Sequence, residues 1–308
     1  IIEKYREKIK SNIFFQNIAV VAGGNVTAKL IGIIAAPVIT RLYTPEDYGV
    51  FSIFISTIGI AGSLATLRYA VTIPIARQEK LAENILKLCF LITLSLSLIW
   101  FIGIELFGNY FAIQFSSERL QPYLWLMPVV FLGKGLYEAL NNWAIRTRKF
   151  RLITRTKISQ GVSSAGVKIS LGAIGITPLG LFLGHIAQEA AGITSLFSRL
   201  VQQRPAFLRT FSWNGIKYAA KRYRKFPLVQ SWSQLLLALG GQLPVLLIGA
   251  FYGIEVAGVY GLAQNMINMP VNLIGQAVAQ VYYAEISKYG RNNPGKIYKL
   301  SVSIIKKL

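Results

Sequence analysis

A few ionisable side chains stand alone in stretches of this sequence that carry no other charge. Lys29, Arg68, Lys134 and Lys168 are the bases, Glu138 and Glu189 the acids, and His185 is the one histidine of the chain. Such isolated cations fit anion recognition. A charge held in hydrocarbon costs about 2.5 to 3.5 kcal/mol on insertion scales, so it faces a partner, a polar cavity or a ligand. A diphosphate is the kind of ligand that uses several lysines. Arg68 lies six residues before Pro74, near a span end, where it either anchors at an interface or meets a ligand. Lys134 and Glu138 are four residues apart on one helical face. They read equally as an internal salt bridge or as a substrate- or proton-coupled pair. His185 and Glu189, one turn apart, are either a proton-carrying pair or a carboxylate that neutralises a lysine beside a hydrogen-bonded imidazole. Gln264, Asn268, Asn272, Gln276 and Gln280 recur at four-residue spacing. Amides donate and accept hydrogen bonds, so this face is either a sugar-tolerant cavity wall or interhelical glue.

The elements that must hold these residues are apolar helices. Of 308 residues 53% are hydrophobic and 15% charged, and mean hydropathy is +0.48, whereas soluble proteins average about 25% charged. Runs without Asp, Glu, Lys or Arg cover 11–28, 48–67, 88–104, 169–188, 226–254 and 256–284. A bilayer span needs about 20 apolar residues. The pattern predicts helices near 12–42, 48–76, 84–108, 120–145, 156–176, 178–198, 226–251 and 256–286, with another starting near 297. This is an all-α polytopic membrane protein.

The net charge of +21 reports topology. Placing the N-terminus in the cytoplasm puts 25 Lys and Arg in segments on the inner side, against Arg41 and Arg119 in the outer loops, as the positive-inside rule requires. Nucleic acid is therefore not an expected partner. The basic stretch 199–225, with Phe207, Phe211, Trp213 and Tyr218 interleaved, reads as an amphipathic connection on the anionic inner leaflet. Cys89 is the single cysteine, which excludes an intrachain disulfide and a cysteine-based metal site. No metal or cofactor is expected.

One segment repeats. Tyr43–Val50 and Tyr252–Val259 both fit Tyr-x-x-Glu-x-x-Gly-Val at an offset of 209 residues, and both fall at outer connections six helices apart. Six helices preserve orientation, so the pattern predicts two parallel lobes. The expected division is a six-helix lobe over 1–201, the basic connection over 202–225 and the start of a second lobe over 226–308. A complete pair would need about 420 residues, so the chain reads as truncated in its second lobe. Gly23-Gly24, Pro37, Gly240-Gly241, Pro244 and Pro270 serve as packing points or as hinges.

Several motifs carry a family resemblance. They are Phe14-Phe15-Gln16-Asn17, the loop Thr40-Arg41-Leu42-Tyr43-Thr44-Pro45-Glu46-Asp47-Tyr48-Gly49, Ala65-Thr66-Leu67-Arg68-Tyr69, Tyr223-Arg224-Lys225-Phe226-Pro227 and Leu273-Ile274-Gly275-Gln276-Ala277. Together they resemble the bacterial polysaccharide flippases of the Wzx type, in the multidrug/oligosaccharidyl-lipid/polysaccharide exporter superfamily. The resemblance implies two six-helix lobes around a central cavity in the bacterial inner membrane. It implies alternating access to an undecaprenyl-diphosphate-linked oligosaccharide, turned outward for O-antigen or capsule synthesis, with membrane lipid, a polysaccharide polymerase and a chain-length regulator as partners. The family often places an acid two positions after the helix-two arginine. Here that position is Ala70, so the motif supplies no local ion-pair partner for Arg68. A multidrug or cation antiporter and a lipid II flippase are the alternative readings within the superfamily.

An enzyme is not expected. Asp47 is the one aspartate, so clusters of aspartates that hold a divalent ion and a nucleotide-sugar cannot be built. Gly133-Lys134-Gly135 lacks the spacing and hydroxyl of a phosphate-binding loop. With no ATPase motif, an ion gradient or the membrane potential is the expected energy source.

Overall fold

The computed structural model describes residues 23–114, 118–207 and 211–268, with isolated positions 295, 298 and 302 beyond them. Among the described residues every regular element is helical. The helices are α1 (23–42), α2 (Pro45–Gly62), α3 (Glu79–Gln114), α4 (Leu126–Arg146), α5 (Phe150–Ala173), α6 (Leu179–Gln203), α7 (Trp213–Arg222), α8 (Ser231–Tyr252) and α9 (254–268). Short 3-10 turns lie at Tyr69–Thr72, Glu118–Tyr123 and Pro205–Phe207, and a π turn, Phe226–Gln230, leads into α8. Gly23–Leu42, Glu79–Gly108 and Phe226–Tyr252 are long and apolar enough to cross a membrane. The remaining helices are shorter or interrupted by charge, as the sequence of α4, α5 and α6 makes plain.

Local sequence sets the helix ends. Thr44 caps α2: its hydroxyl accepts from Asp47 N at 3.1 Å while the Asp47 carboxylate accepts from Thr44 N at 3.0 Å, and Pro45 supplies the first helical residue. This reciprocal pair satisfies two donors that a helix start leaves open. Ser212 caps α7 by accepting from Gly215 N at 3.2 Å. α7 buries Ile216 and Ala219 and exposes Trp213 and Tyr218.

The second helix departs from expectation. A continuous span over 48–76 is predicted, yet α2 ends at Gly62 and residues 63–76 fold into turns, with Leu67 and Arg68 at φ 46° and 59°. Arg68 is therefore not a helical residue. Irregular backbone at such a position must have its polar groups satisfied within the protein. Thr93 Oγ1 donates to the Ala65 carbonyl at 2.8 Å, and Arg146 Nη1 donates to the carbonyls of Ile73 and Ala76 at 3.0 and 2.6 Å.

Packing follows membrane logic. α5 lies most extensively on α6, α3 on α4, α4 on α6, and α2 on α8. Small residues bring α1 onto α5, where a Cβ at Gly24 would overlap Thr154 and one at Gly161 would lie 3.1 Å from the Ala28 carbonyl oxygen. The buried face of α5 is polar, with Thr156, Gln160 and Ser164, while α3 and α8 turn Leu98, Ile102, Phe107, Leu236, Leu237 and Phe251 outward. Apolar outside and polar inside is the arrangement expected when lipid is the solvent.

Two large apolar clusters divide the interior, and a smaller third joins Ala35, Ile39 and Tyr43 to Leu181. One joins Ile85, Leu86 and Cys89 of α3 to Leu140 and Trp143 of α4, Leu196 and Leu200 of α6 and Ile216 of α7. The other joins Ile53, Phe54 and Ile58 of α2 to Met127 and Val130 of α4, Phe182 of α6 and Leu246 of α8. Along α3, α4 and α6 the stretch between the clusters is polar, and it holds Thr93, Ser97, Lys134, His185 and Glu189.

Candidate functional site

The belt between the apolar clusters gathers most of the isolated charges. Lys134 is in electrostatic reach of both Glu138 and Glu189, and its Nζ donates to the Ile58 carbonyl at 3.5 Å. Glu138 is held by three partners. Its Oε2 accepts from Thr66 Oγ1 at 3.1 Å, its Oε1 lies 3.8 Å from Arg68 Nη1, and Lys134 is in reach along α4. Arg68 thus finds its acid on α4, 70 positions along the chain, where the motif supplied none. A non-glycine residue in left-handed conformation costs about 1 to 2 kcal/mol, and the Thr66–Glu138–Arg68 contacts hold that turn in place.

Glu189 on α6 is in reach of Lys134 and of Lys157. The Lys157 Nζ sits 4.8 Å from the Tyr137 ring centroid, a cation-π distance. Lys29, half-buried on α1, faces the same region and lies in reach of Lys157. Among the described residues the Tyr137 hydroxyl, Asn141 Oδ1, Glu189 Oε2 and Arg68 Nε are buried without a hydrogen-bond partner in the protein. Buried polar atoms are nearly always satisfied. These four lie on α4, on α6 and at the turn that carries Arg68.

Lys168 occupies a different seat. Its Nζ lies 5.0 Å from the Phe51 ring centroid, and the Phe51 ring stands edge-on to the His185 imidazole at 6.3 Å. The Tyr43 hydroxyl donates to the Lys168 carbonyl at 2.7 Å and fixes the backbone below. Among the described residues no carboxylate pairs with Lys168. His185 is in reach of two cations, Lys168 and Lys134.

Glycines make these seats. A Cβ at Gly62 would lie 2.8 Å from Lys134 Nζ, one at Gly184 would overlap Lys168 Cγ, and one at Gly133 would lie 3.1 Å from Glu189 Cβ. Each charged stem crosses a neighbouring helix where that helix has no side chain. The seats are the part of the arrangement that residue-type reasoning passed over. Lys157, Gln160, Tyr137 and Asn141 were passed over as well. Lys157, Gln160, Ser164 and Lys168 recur at three- and four-residue steps on α5, and Lys134, Tyr137, Glu138 and Asn141 do the same on α4, so each helix announces one polar stripe.

The amide row is described only in part. Gln264 Nε2 donates to the Gly241 carbonyl on α8 at 3.1 Å, so this amide joins two helices, and Asn268 is exposed. Asn272, Gln276 and Gln280 lie outside the described residues. No group of three or more His, Cys, Asp or Glu that could hold a metal occurs among the described residues.

A family model described as polysaccharide biosynthesis protein matches residues 38–306. The chain is also similar to the teichuronic acid biosynthesis protein TuaB of Bacillus subtilis (strain 168), at 24% identity over 179 residues. That similarity covers 56% of this chain and 35% of the relative, so the match spans about a third of the curated protein. No solved structure matches. The chain belongs to the polysaccharide biosynthesis protein family and is a membrane protein with apolar helices long enough to span.

Proposed function

We propose that this polysaccharide biosynthesis protein is a carrier, not an enzyme, and that it moves a polyprenyl-diphosphate-linked oligosaccharide from the inner to the outer leaflet of the bacterial inner membrane by alternating access. The observation that carries the reading is the seat of Lys168, a half-buried cation with an aromatic wall and no carboxylate partner among the described residues. Even a half-buried cation held among apolar helices without a counter-charge is costly, and a diphosphate supplies the missing charge. The orphaned hydroxyl, amide and carboxylate atoms of α4 and α6 offer hydrogen bonds that sugars can take up and leave. Lys134, Glu138 and Glu189 serve as the coupling group, because a carboxylate between two lysines changes its partners when an anion or a proton arrives. Lys29 and Arg68 extend the basic lining toward the cytoplasm. The N-terminus is cytoplasmic in this reading, α1–α6 form the first of two lobes, and α7 lies on the anionic leaflet with its lysines and arginines outward.

The test is a reconstituted vesicle holding a fluorescent polyprenyl-diphosphate oligosaccharide, with glycan exposure followed by an external sugar-binding probe. Protein-dependent exposure that rises with an imposed potential or proton gradient is the expected result. Export of cationic dyes with no movement of the glycan lipid would move the chain to the multidrug branch.

A further inference from the structure

The two copies of Tyr-x-x-Glu-x-x-Gly-Val meet each other. A Cβ at Gly49 on α2 would overlap the Ile254 carbonyl oxygen on α9. One at Gly258 on α9 would overlap the Pro45 carbonyl oxygen on α2 and lie 2.9 Å from Gly49 Cα. Gly49 and Gly258 are equivalent positions of the repeat, and so are Pro45 and Ile254, at the 209-residue offset found in the sequence. The contact is reciprocal. Position i touches j′ and i′ touches j, which is the mark of a two-fold axis through an isologous interface. The same offset pairs Ser52 with Gly261, and a Cβ at Gly261 would lie 2.8 Å from Ser52 Cβ. Sequence repetition and helix contact, which need not agree, place the axis at the same residues.

The crossing is closed backbone to backbone, since neither helix has a side chain there to hold the other away. Farther along α8, toward the basic connection, a Cβ at Gly240 or Gly241 would meet nothing within 4 Å. α2 also touches α8 through Gly59 and Gln242, the residue that follows Gly241. The junction is thus sealed backbone to backbone at the end bearing the repeat loops, whereas at Gln242 the contact with α2 is made by a side chain.

We infer that the Gly49/Gly258 crossing is the gate on the repeat-loop side of the transport path, shut in this conformer, and that opening to that side parts α2 from α9 along the two-fold axis. The inference rests on the carrier reading above for its purpose, though not for its geometry. Side chains at both glycines hold the crossing apart.

The experiment uses Gln242→Cys as a probe below the crossing and a membrane-impermeant maleimide, applied to right-side-out and inside-out vesicles in a Cys89→Ala background. The unmodified crossing gives labelling from the basic face. Gly49→Leu/Gly258→Leu raises labelling from the repeat-loop face about tenfold, because overpacking that destabilises the closed state by about 1.4 kcal/mol shifts the balance by that factor. A Ser52→Cys/Gly261→Cys pair oxidises to a disulfide in the membrane and abolishes labelling from the repeat-loop face until reduced. If the leucine variant does not fold, Gly258→Ala and the disulfide lock make the same comparison. Failure of the pair to oxidise, unchanged labelling in the wedged variant, or labelling indifferent to the lock would each overturn the gate. No glycan lipid enters this assay, so a protein that gates yet moves no such lipid keeps the gate and loses the substrate reading.

Discussion

Lys134 and Lys168 are both lysines of the same helical bundle, each laid across a glycine of a neighbouring helix, and their surroundings are opposite. Lys134 has carboxylates on two helices in reach and a carbonyl under its Nζ. Lys168 has a phenyl ring, a histidine and no acid among the described residues. Removing one member of a buried charge group leaves the rest uncompensated and costs about 3 to 5 kcal/mol. Removing a half-buried charge that has no carboxylate partner strands no other charge. The first lysine is therefore tied into a charge group, and in the proposed reading the second is the one that answers to a ligand.

The largest effect that would break this contrast is on stability. Lys134→Met should lower stability by about 3 kcal/mol, seen as earlier thermal unfolding in detergent, and Lys134→Met/Glu189→Gln should recover part of the loss because the stranded carboxylate goes with it. A change under 1 kcal/mol would mean that the acids do not depend on Lys134. Gly184→Val should cost about 1 to 3 kcal/mol by overpacking the Lys168 stem, and Gly166→Ala, where a Cβ meets nothing within 4 Å, should be close to neutral by the same measurement. Lys168→Met should leave unfolding within about 1 kcal/mol of the parent, since a similar apolar volume replaces a charge without a pair. A loss comparable to that of Lys134→Met would reveal a hidden counter-charge and remove the contrast. Smallest is the exposed pair Arg119–Glu46, 2.7 Å apart, where Arg119→Ala should change stability by less than about 0.5 kcal/mol and less still in high salt.

Much of the helical order was legible because charge-free runs and basic loops are strong signals in a membrane chain. The centres of α3, α4, α6 and α8 fall inside the expected spans. The end of α2 was not legible. From Ser63 to Ile73 the sequence holds no glycine or proline to break a helix, and the turns are held from afar, by Thr93 donating to the Ala65 carbonyl and Arg146 donating to those of Ile73 and Ala76. α5 begins at Phe150, six residues before the expected start, because hydropathy stops at the basic loop whereas the backbone continues through Arg151 and Arg155. For the same reason Lys157 read as a loop charge and not as the partner of Glu189 and Tyr137.

The isolated residues of the candidate site were visible as types, and what they face was not. Lys134, Glu138 and Glu189 share one belt, Arg68 joins it through a turn, and Lys168 stands off with His185. Spacing alone left the Lys134–Glu138 pair undecided, because the geometry that matters runs between helices, through Thr66, Ile58 and Glu189. The glycine seats are likewise a property of crossings, set by which helices touch and at what level.

The most direct measurement is the rate at which the parent, Lys134→Met/Glu189→Gln and Lys168→Met each expose a fluorescent polyprenyl-diphosphate oligosaccharide in vesicles, beside an uncharged polyprenyl glycoside of the same glycan. A lysine that reads the diphosphate predicts that Lys168→Met slows the diphosphate lipid about tenfold, the factor that 1.4 kcal/mol of lost recognition gives, while the uncharged lipid moves as slowly in every variant as it does in the parent. Equal movement of the diphosphate lipid by the parent and by a folded Lys168→Met protein would contradict the account.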